Sequence, residues 1–165
     1  MTTPSRTDVA AATWGPTPPT HRRYEGTSRV GTGADTWQRA SEAVLRWGVK
    51  TRSGFTVPDA HVVTPGERLD VLVRIGPVTI REPVEVVEVV RTADRVGFAY
   101  RTRPGHPVDG EEAFIVTRHD DVVSLTLRSL TRPSTTPGWA LVHPVLRLAQ
   151  VVVRRRYLRA LRALR

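Results

Sequence analysis

"VHPVLRLAQVVVRRRYLRALRALR", residues Val142 to Arg165, decides the fold of this chain. At about 100° per residue, Val142, Val145, Leu146, Ala149, Val152, Val153, Tyr157, Ala160 and Leu164 gather on one side, with most arginines opposite. Pro144 suits a first helical turn, where its missing N–H has no partner to lose. The segment therefore predicts one long helix with a single core face. Arg156 breaks the pattern by falling within the apolar arc. An inward arginine needs a carboxylate, from the chain or from a ligand, unless it reaches out to the rim.

The sequence upstream is β-patterned. "EAFIVTRH" (112–119) and "VVSLTLRSLTR" (122–132) meet at Asp120-Asp121, a tight turn. "RVGFAYRT" (95–102) precedes them, following a turn at Ala93-Asp94. "VTIREPVEVVEVVRT" (78–92) contains Pro83, which implies an edge or a bulge. "RLDVLVRIG" (68–76) sets Leu69, Val71, Val73 and Ile75 on one face, and "GFTVPDAHVV" (54–63) is cut by Pro58. Short links between these runs predict antiparallel neighbours.

Before them lies "VGTGADTWQRASEAVLRWGV" (30–49). Trp37, Ala40, Val44 and Trp47 share a helical face, Asp35 and Gln38 form a capping-box pattern, and Gly48 suits the C-terminal cap. A helix is predicted over 35–47, entered from an extended stretch at Tyr24 to Val30. Residues 1–22 are rich in Thr, Pro and Ala and predict a disordered tail in which Trp14 docks loosely at most. Residues 23–165 then form a single α+β domain: a curved antiparallel sheet of about seven strands around the long C-terminal helix, a helix-grip. Such a grip leaves a cavity suited to an apolar or amphipathic molecule.

Composition narrows the functional classes. The 165 residues contain no cysteine, which excludes disulfides, thiol nucleophiles and cysteine zinc sites and suits a cytoplasmic location. No secretory signal and no run of transmembrane length is visible. The net charge is +9, and Lys50 is the only lysine. Arginines 147, 154, 155, 156, 159, 162 and 165 carry +7 of that, with no acid among them. This basic face reads as a solvated surface, or as a contact for nucleic acid or an anionic membrane. A single aromatic on the segment, Tyr157, argues against stacking on single-stranded nucleic acid.

The most distinctive stretch is "YRTRPGHPVDGEEAF" (100–114). His106, Glu111 and Glu112 form a possible acid/base set, since His titrates near neutrality and a buried Glu is tuned toward it. The competing reading is structural: the prolines and glycines shape a loop, and the polar groups satisfy it. Adjacent strand residues point to opposite faces, so Glu111 and Glu112 are not expected to act together on one atom. Tyr100, Arg101, Arg103, Arg156 and Trp139 are the candidate lining or gating residues of the cavity. His106, Asp109 and Glu111 match no established metal-ligand spacing. "GTGADT" (31–36) lacks the third glycine of a dinucleotide fingerprint and the Gly-Lys-Ser/Thr of a P-loop, so it reads as a turn entering a helix. No Gly-x-Ser-x-Gly is present. No cofactor or metal is therefore implied.

"VGTGADTWQRASEAVLRW", "GFAYRTRPGHPVDGEEAFIV" and "LTRPS", followed by Gln150 and "RRRYL", together resemble a bacterial and plant domain-of-unknown-function family. Its mark is Gly-Phe-x-Tyr-Gly-Thr-Leu-Pro-Gly-His-Pro-x-x-Gly-Glu-Glu. Arg101 stands here where that family has Gly, and Arg103 where it has Leu. The resemblance runs from about Tyr24 to Leu164 and implies a fold of the Bet v 1 and START-like helix-grip kind. It implies no activity. Binding of a small apolar or amphipathic ligand is the leading expectation. A small enzyme using His106 with Glu111 or Glu112 is the second, and an accessory protein docking through its arginines the third.

Overall fold

A computed structural model describes residues 4–59 and 61–164. The start of the expected tail, Ala60 in the expected strand 54–63, and Arg165 lie outside the described residues. Strand β1 (Arg22–Thr32) leads into helix α1 (Ala34–Leu45) and the single turn α2 (Gly48–Thr51). Six strands follow: β2 (Phe55–Thr56), β3 (Arg68–Ile75), β4 (Val78–Arg91), β5 (Arg95–Thr102), β6 (Val108–His119) and β7 (Val122–Pro133). Helix α3 (His143–Arg159) closes the chain, flanked by 3-10 turns at Ala140–Val142 and Arg162–Leu164. The sheet order is β1-β7-β6-β5-β4-β3-β2, with every neighbour antiparallel. The helix-grip read from the sequence is thus the observed architecture.

Local details differ from the sequence reading for identifiable reasons. The expected capping box is absent: Gly33 caps α1 with φ 91°, and Gln38 bonds Glu42 instead. Gly48 does not end α1 but opens α2, because Trp47 takes the left-handed turn at φ 61°. A Cβ at Gly48 would sit 2.5 Å from the Ala43 carbonyl oxygen, so only glycine fits this sharp corner. In β4 the bulge falls at Val87, between Val86 and Glu88, and not at Pro83. Pro83 is tolerated because its nitrogen lies on the same side as its carbonyl, which accepts from the Arg103 amide, so the missing N–H faces chain beyond the end of β5.

The concave face carries the main core. Trp47 and Phe98 stand edge to face at 4.7 Å between ring centroids, and Phe98–Phe114 and Phe114–Tyr157 continue the chain of rings at 5.8 and 5.2 Å. Tyr157 anchors α3 into this cluster and sets the helix's rotation. Leu146, Gln150, Val153, Arg154 and Tyr157 face the sheet. Val142, Val145 and Val152, expected in the core, are exposed. Arg156, expected inward, lies on the exposed side near Gly54. The sequence pattern missed this because the inner face near Gln150 and Arg154 borders polar groups, so the apolar arc does not mark it.

The expected disordered tail is also corrected. Residues from Pro4 onward cross the convex face of the sheet, where Val9 is fully buried against Val87, Val90, Ala99, Ala113 and Ile115. Arg128, only 2% exposed, organises this segment. Its guanidinium donates to the carbonyls of Thr7, Asp8, Ala11 and Ala12 and pairs with Glu25 at 2.6 Å. Glu111 accepts from the Thr7 amide and hydroxyl at 2.9 and 2.7 Å. Trp14 is buried, donates to the Arg6 carbonyl, and lies under Arg23 at 4.0 Å. Composition argued for disorder because the segment is short of apolar residues. It is held instead by backbone carbonyls, which composition does not register.

Replacing Arg128 with Met keeps bulk but strands those carbonyls and Glu25, so about 3 kcal/mol or more of stability should be lost. Urea denaturation measures this, and trypsin should then cleave at Arg6 in the otherwise folded chain. An unchanged midpoint with Arg6 still protected would show that the segment is held by something else.

Candidate functional site

The loop between β5 and β6 is built by its own residues. Gly105 turns it with φ 98°, and Nδ1 of His106 accepts the Val108 amide at 3.0 Å. The Ser134 hydroxyl donates to the His106 carbonyl at 2.9 Å, which ties the loop to the end of β7. At Gly110 a Cβ would fall 1.8 Å from the Leu130 carbonyl oxygen, so β6 and β7 approach closely only because that residue is glycine. From there β6 alternates. Glu111 points to the convex face and holds Thr7, whereas Glu112 points inward and accepts the Tyr100 hydroxyl.

A cavity of about 140 Å³ lies between α3 and this part of the sheet. Its apolar wall includes Phe55, Ile80, Leu146, Val153 and Tyr157. Its polar end holds Lys50, Glu82, His106, Glu112 and Arg154. Volumes on the order of 150 Å³ admit a benzene-sized guest, so the space fits one ring or a short alkyl segment. It is no larger because the rings of Trp47, Phe98 and Phe114 fill the opposite end of the grip. The lining residues Ile75 and Ala149 are themselves exposed, so the cavity opens between the β3–β4 hairpin and the first turns of α3.

Lys50 is the centre of the polar end. It is 3% exposed and sits over the rings of Phe55, Tyr100 and Tyr157 at 4.3, 5.3 and 5.3 Å. Its ammonium meets Glu82 at 3.4 Å, and among the described residues it makes no other hydrogen bond. Two of its three donors therefore have no hydrogen-bond acceptor among the described residues. Burial pushes the Glu112 carboxyl up, toward its neutral form, against the opposing pull of Lys50 and the Tyr100 hydroxyl. Burial, with Glu112 and then Tyr157 nearby, drives the Tyr100 phenol well up, and burial does the same to Tyr157. Arg154, which reaches Ser129 at 3.4 Å, is lowered by burial, with Glu112 opposing. His106 is lowered to about 4 by burial, with Glu82 opposing and Lys50 assisting. It is therefore neutral near pH 7. With Nδ1 accepting, its proton sits on Nε2, 3.7 Å from Glu82, so the two do not form an ion pair.

Of the sequence-derived candidates, the structure brings together His106, Glu112 and Tyr100. Glu111 borders the cavity, but its carboxylate is committed to the opposite face. Arg101 pairs with Glu85 at 3.0 Å, on the convex side. Arg103, Arg156 and Trp139 do not line the cavity, and Arg154 takes the inward place expected of Arg156. Asp109 pairs with Arg132 at 2.5 Å, apart from His106. Among the described residues no group of three or more His, Asp or Glu could hold a metal ion, and no helix is long and apolar enough to cross a membrane. Lys50 and Glu82 were missed. The one available signal was compositional: a chain that otherwise uses arginine throughout has a single lysine at the cavity.

A curved seven-stranded sheet gripping a C-terminal helix, with a cavity between them, defines a helix-grip domain. Residues 5–160 match the domain of unknown function DUF1990, and the chain belongs to that family. It is 35% identical over 127 residues to a UPF0548 protein of Deinococcus radiodurans, a match covering 70% of this chain and 64% of that relative. The chain thus spans less than two thirds of that relative's length. Among solved structures it is similar to Ara h 8.0201, with TM-score 0.52, 10% identity and coverage of 83% of this chain and 95% of that one. It is also similar to the di-domain ARO/CYC BexL from the BE-7585A biosynthetic pathway, with TM-score 0.56, 14% identity and coverage of 88% and 50%. At these identities the structural likenesses establish the fold alone.

His106 ties this site to pH. Unfolded, it takes up a proton near its ordinary value of 6.5; folded, it does so only near 4. Its contribution to stability is complete above 6.5 and is lost as pH falls toward 4, by about 3 kcal/mol across that window. Glu112 acts in the opposite sense, because its raised pKa lets the native state take up a proton before the unfolded chain does. His106→Asn, which retains an acceptor for the Val108 amide, isolates the histidine. Its unfolding free energy should fall less steeply than the wild type's between pH 6.5 and 4. Parallel profiles in urea titrations would exclude a buried neutral histidine.

Proposed function

We propose that this domain binds a small amphipathic molecule in the cavity. The apolar part would lie against Phe55, Ile80 and Val153, and an acceptor oxygen, carbonyl or carboxylate, would meet Lys50. The observation that carries this reading is the buried ammonium of Lys50, with donors left over at the polar end of an otherwise apolar space. A buried cation with unspent donors is costly unless something accepts from them. Lys50 and Arg154 both line this end of the cavity, and burial raises the Glu112 pKa, which together favour an anionic or strongly polarised guest. The likeness to a biosynthetic ARO/CYC protein supports a small-molecule role without naming the molecule.

A second reading, acid/base catalysis on such a guest, is favoured by one feature. Glu112, its proton affinity raised, touches Tyr100 at the wall of a cavity that neutral His106 also lines. The pair would be His106 and Glu112; Glu111 faces away. In that case His106→Asn abolishes turnover while the guest still binds. For a binder, only affinity changes.

Native mass spectrometry of the purified protein would reveal a retained guest. Calorimetry with benzoate, hexanoate and benzyl alcohol then tests the anchor. At least one acid should bind the wild type, and Lys50→Met should weaken it by roughly tenfold or more, the size of a lost charge-assisted hydrogen bond. Loss of Lys50 should also raise the His106 pKa, since Lys50 lowers it. Equal affinity for the acid in both proteins would remove Lys50 as the anchor.

A further inference from the structure

Nearly all the large hydrophobic side chains left exposed among the described residues lie in two places. Ile75 and Val78 form the tip of the β3–β4 hairpin, and Leu141, Val145, Leu148 and Val152 lie on the outside of α3 and the turn before it. Leu148 and Val145 are 69% and 68% exposed, and Ile75 is 59% exposed. Both elements flank the cavity mouth, since Ile75 from one and Leu146 with Ala149 from the other line the cavity. The apolar residues thus border one opening and are not scattered.

Charge is arranged along the same surface. The outer side of α3 is aliphatic over its first half and becomes basic at Arg155 and Arg159, both exposed, with Arg162 beyond. Among the described residues none of these arginines, nor Arg147, makes an ion pair. No acid occurs from Pro133 to the end of the sequence, and the hairpin stretch 74–81 adds two arginines and no acid. We propose that this face docks onto an anionic phospholipid bilayer: the aliphatic half of α3 and the hairpin tip enter the headgroup boundary, and the arginines rest on lipid phosphates. The cavity mouth would then open toward the acyl layer.

Other occupants fit less well. A nucleic acid gains nothing from exposed Leu and Val, and Tyr157, the aromatic of α3, is buried and cannot stack. A two-fold dimer through this face would bury arginines of both copies with no acid to meet them. The docking does not depend on what the cavity holds.

Co-sedimentation with vesicles tests it, using phosphatidylcholine alone and phosphatidylcholine with one third phosphatidylserine. The wild type should partition onto the anionic vesicles and much less onto the neutral ones, with a loss on added salt. Val145→Asp/Leu148→Asp should reduce partitioning by roughly tenfold or more. Arg155→Glu/Arg159→Glu should do the same. All four positions are exposed, so melting temperatures should hold. If the aspartate pair does lower the melting temperature, Val145→Ser/Leu148→Ser replaces it, with a partial loss expected. Three results overturn the proposal: no anionic-vesicle binding at low salt, binding indifferent to both apolar pairs, or a wild-type dimer that Val145→Asp/Leu148→Asp splits. A protein that ignores vesicles yet binds benzoate through Lys50 would overturn the docking and leave the cavity reading standing.

Discussion

A curved sheet has two faces, and this chain has one long helix to cover them. Everything else follows from how the second face is closed. The concave side takes α1, α3 and the aromatic cluster around Phe98 and Phe114. The convex side is closed by the N-terminal segment, which has little apolar surface beyond Val9. Its attachment is therefore polar: a buried guanidinium collecting four carbonyls, and a carboxylate collecting an amide and a hydroxyl. Hydrogen bonds to charged groups are among the stronger ones in proteins, and here they replace a hydrophobic layer.

Strand β6 joins the two sides. Its period of two sends Glu111 outward to the segment and Glu112 inward to the cavity, from neighbouring positions in one motif. The loop before it supplies the third element, His106, fixed by Val108 and Ser134. One short run of sequence thus fastens the outer segment and furnishes the inner site.

The cavity persists because its polar end resists closure. Lys50, Glu82 and Glu112 are too polar to be packed over with hydrocarbon, and the aromatic cluster fills the other end, so the remaining hollow is small. A lysine suits this place better than an arginine. Its compact ammonium fits among three rings while the stem crosses apolar wall, whereas a guanidinium would need a planar partner. The same helix that walls the cavity presents aliphatic side chains to solvent around its mouth.

The succession of strands and helices along the chain, their antiparallel pairing, the closing helix and the divergence of Glu111 and Glu112 were legible in the sequence, because hydrophobic period and turn residues are local properties; the pairing of β1 with β7 was not. Among its candidates, His106, Glu112 and Tyr100 line the cavity. The sequence pattern misjudged the face of α3, choosing Val145 and Arg156 over Gln150 and Arg154, since a helix's rotation is set by what it packs against. It misjudged residues 4–21, since hydrogen bonds from a distant Arg128 leave no mark on their composition. Nothing local announces that Lys50, lying over three aromatic rings, meets Glu82, 32 positions further along the chain. Such a meeting depends on how the chain returns through space, and no local pattern encodes it.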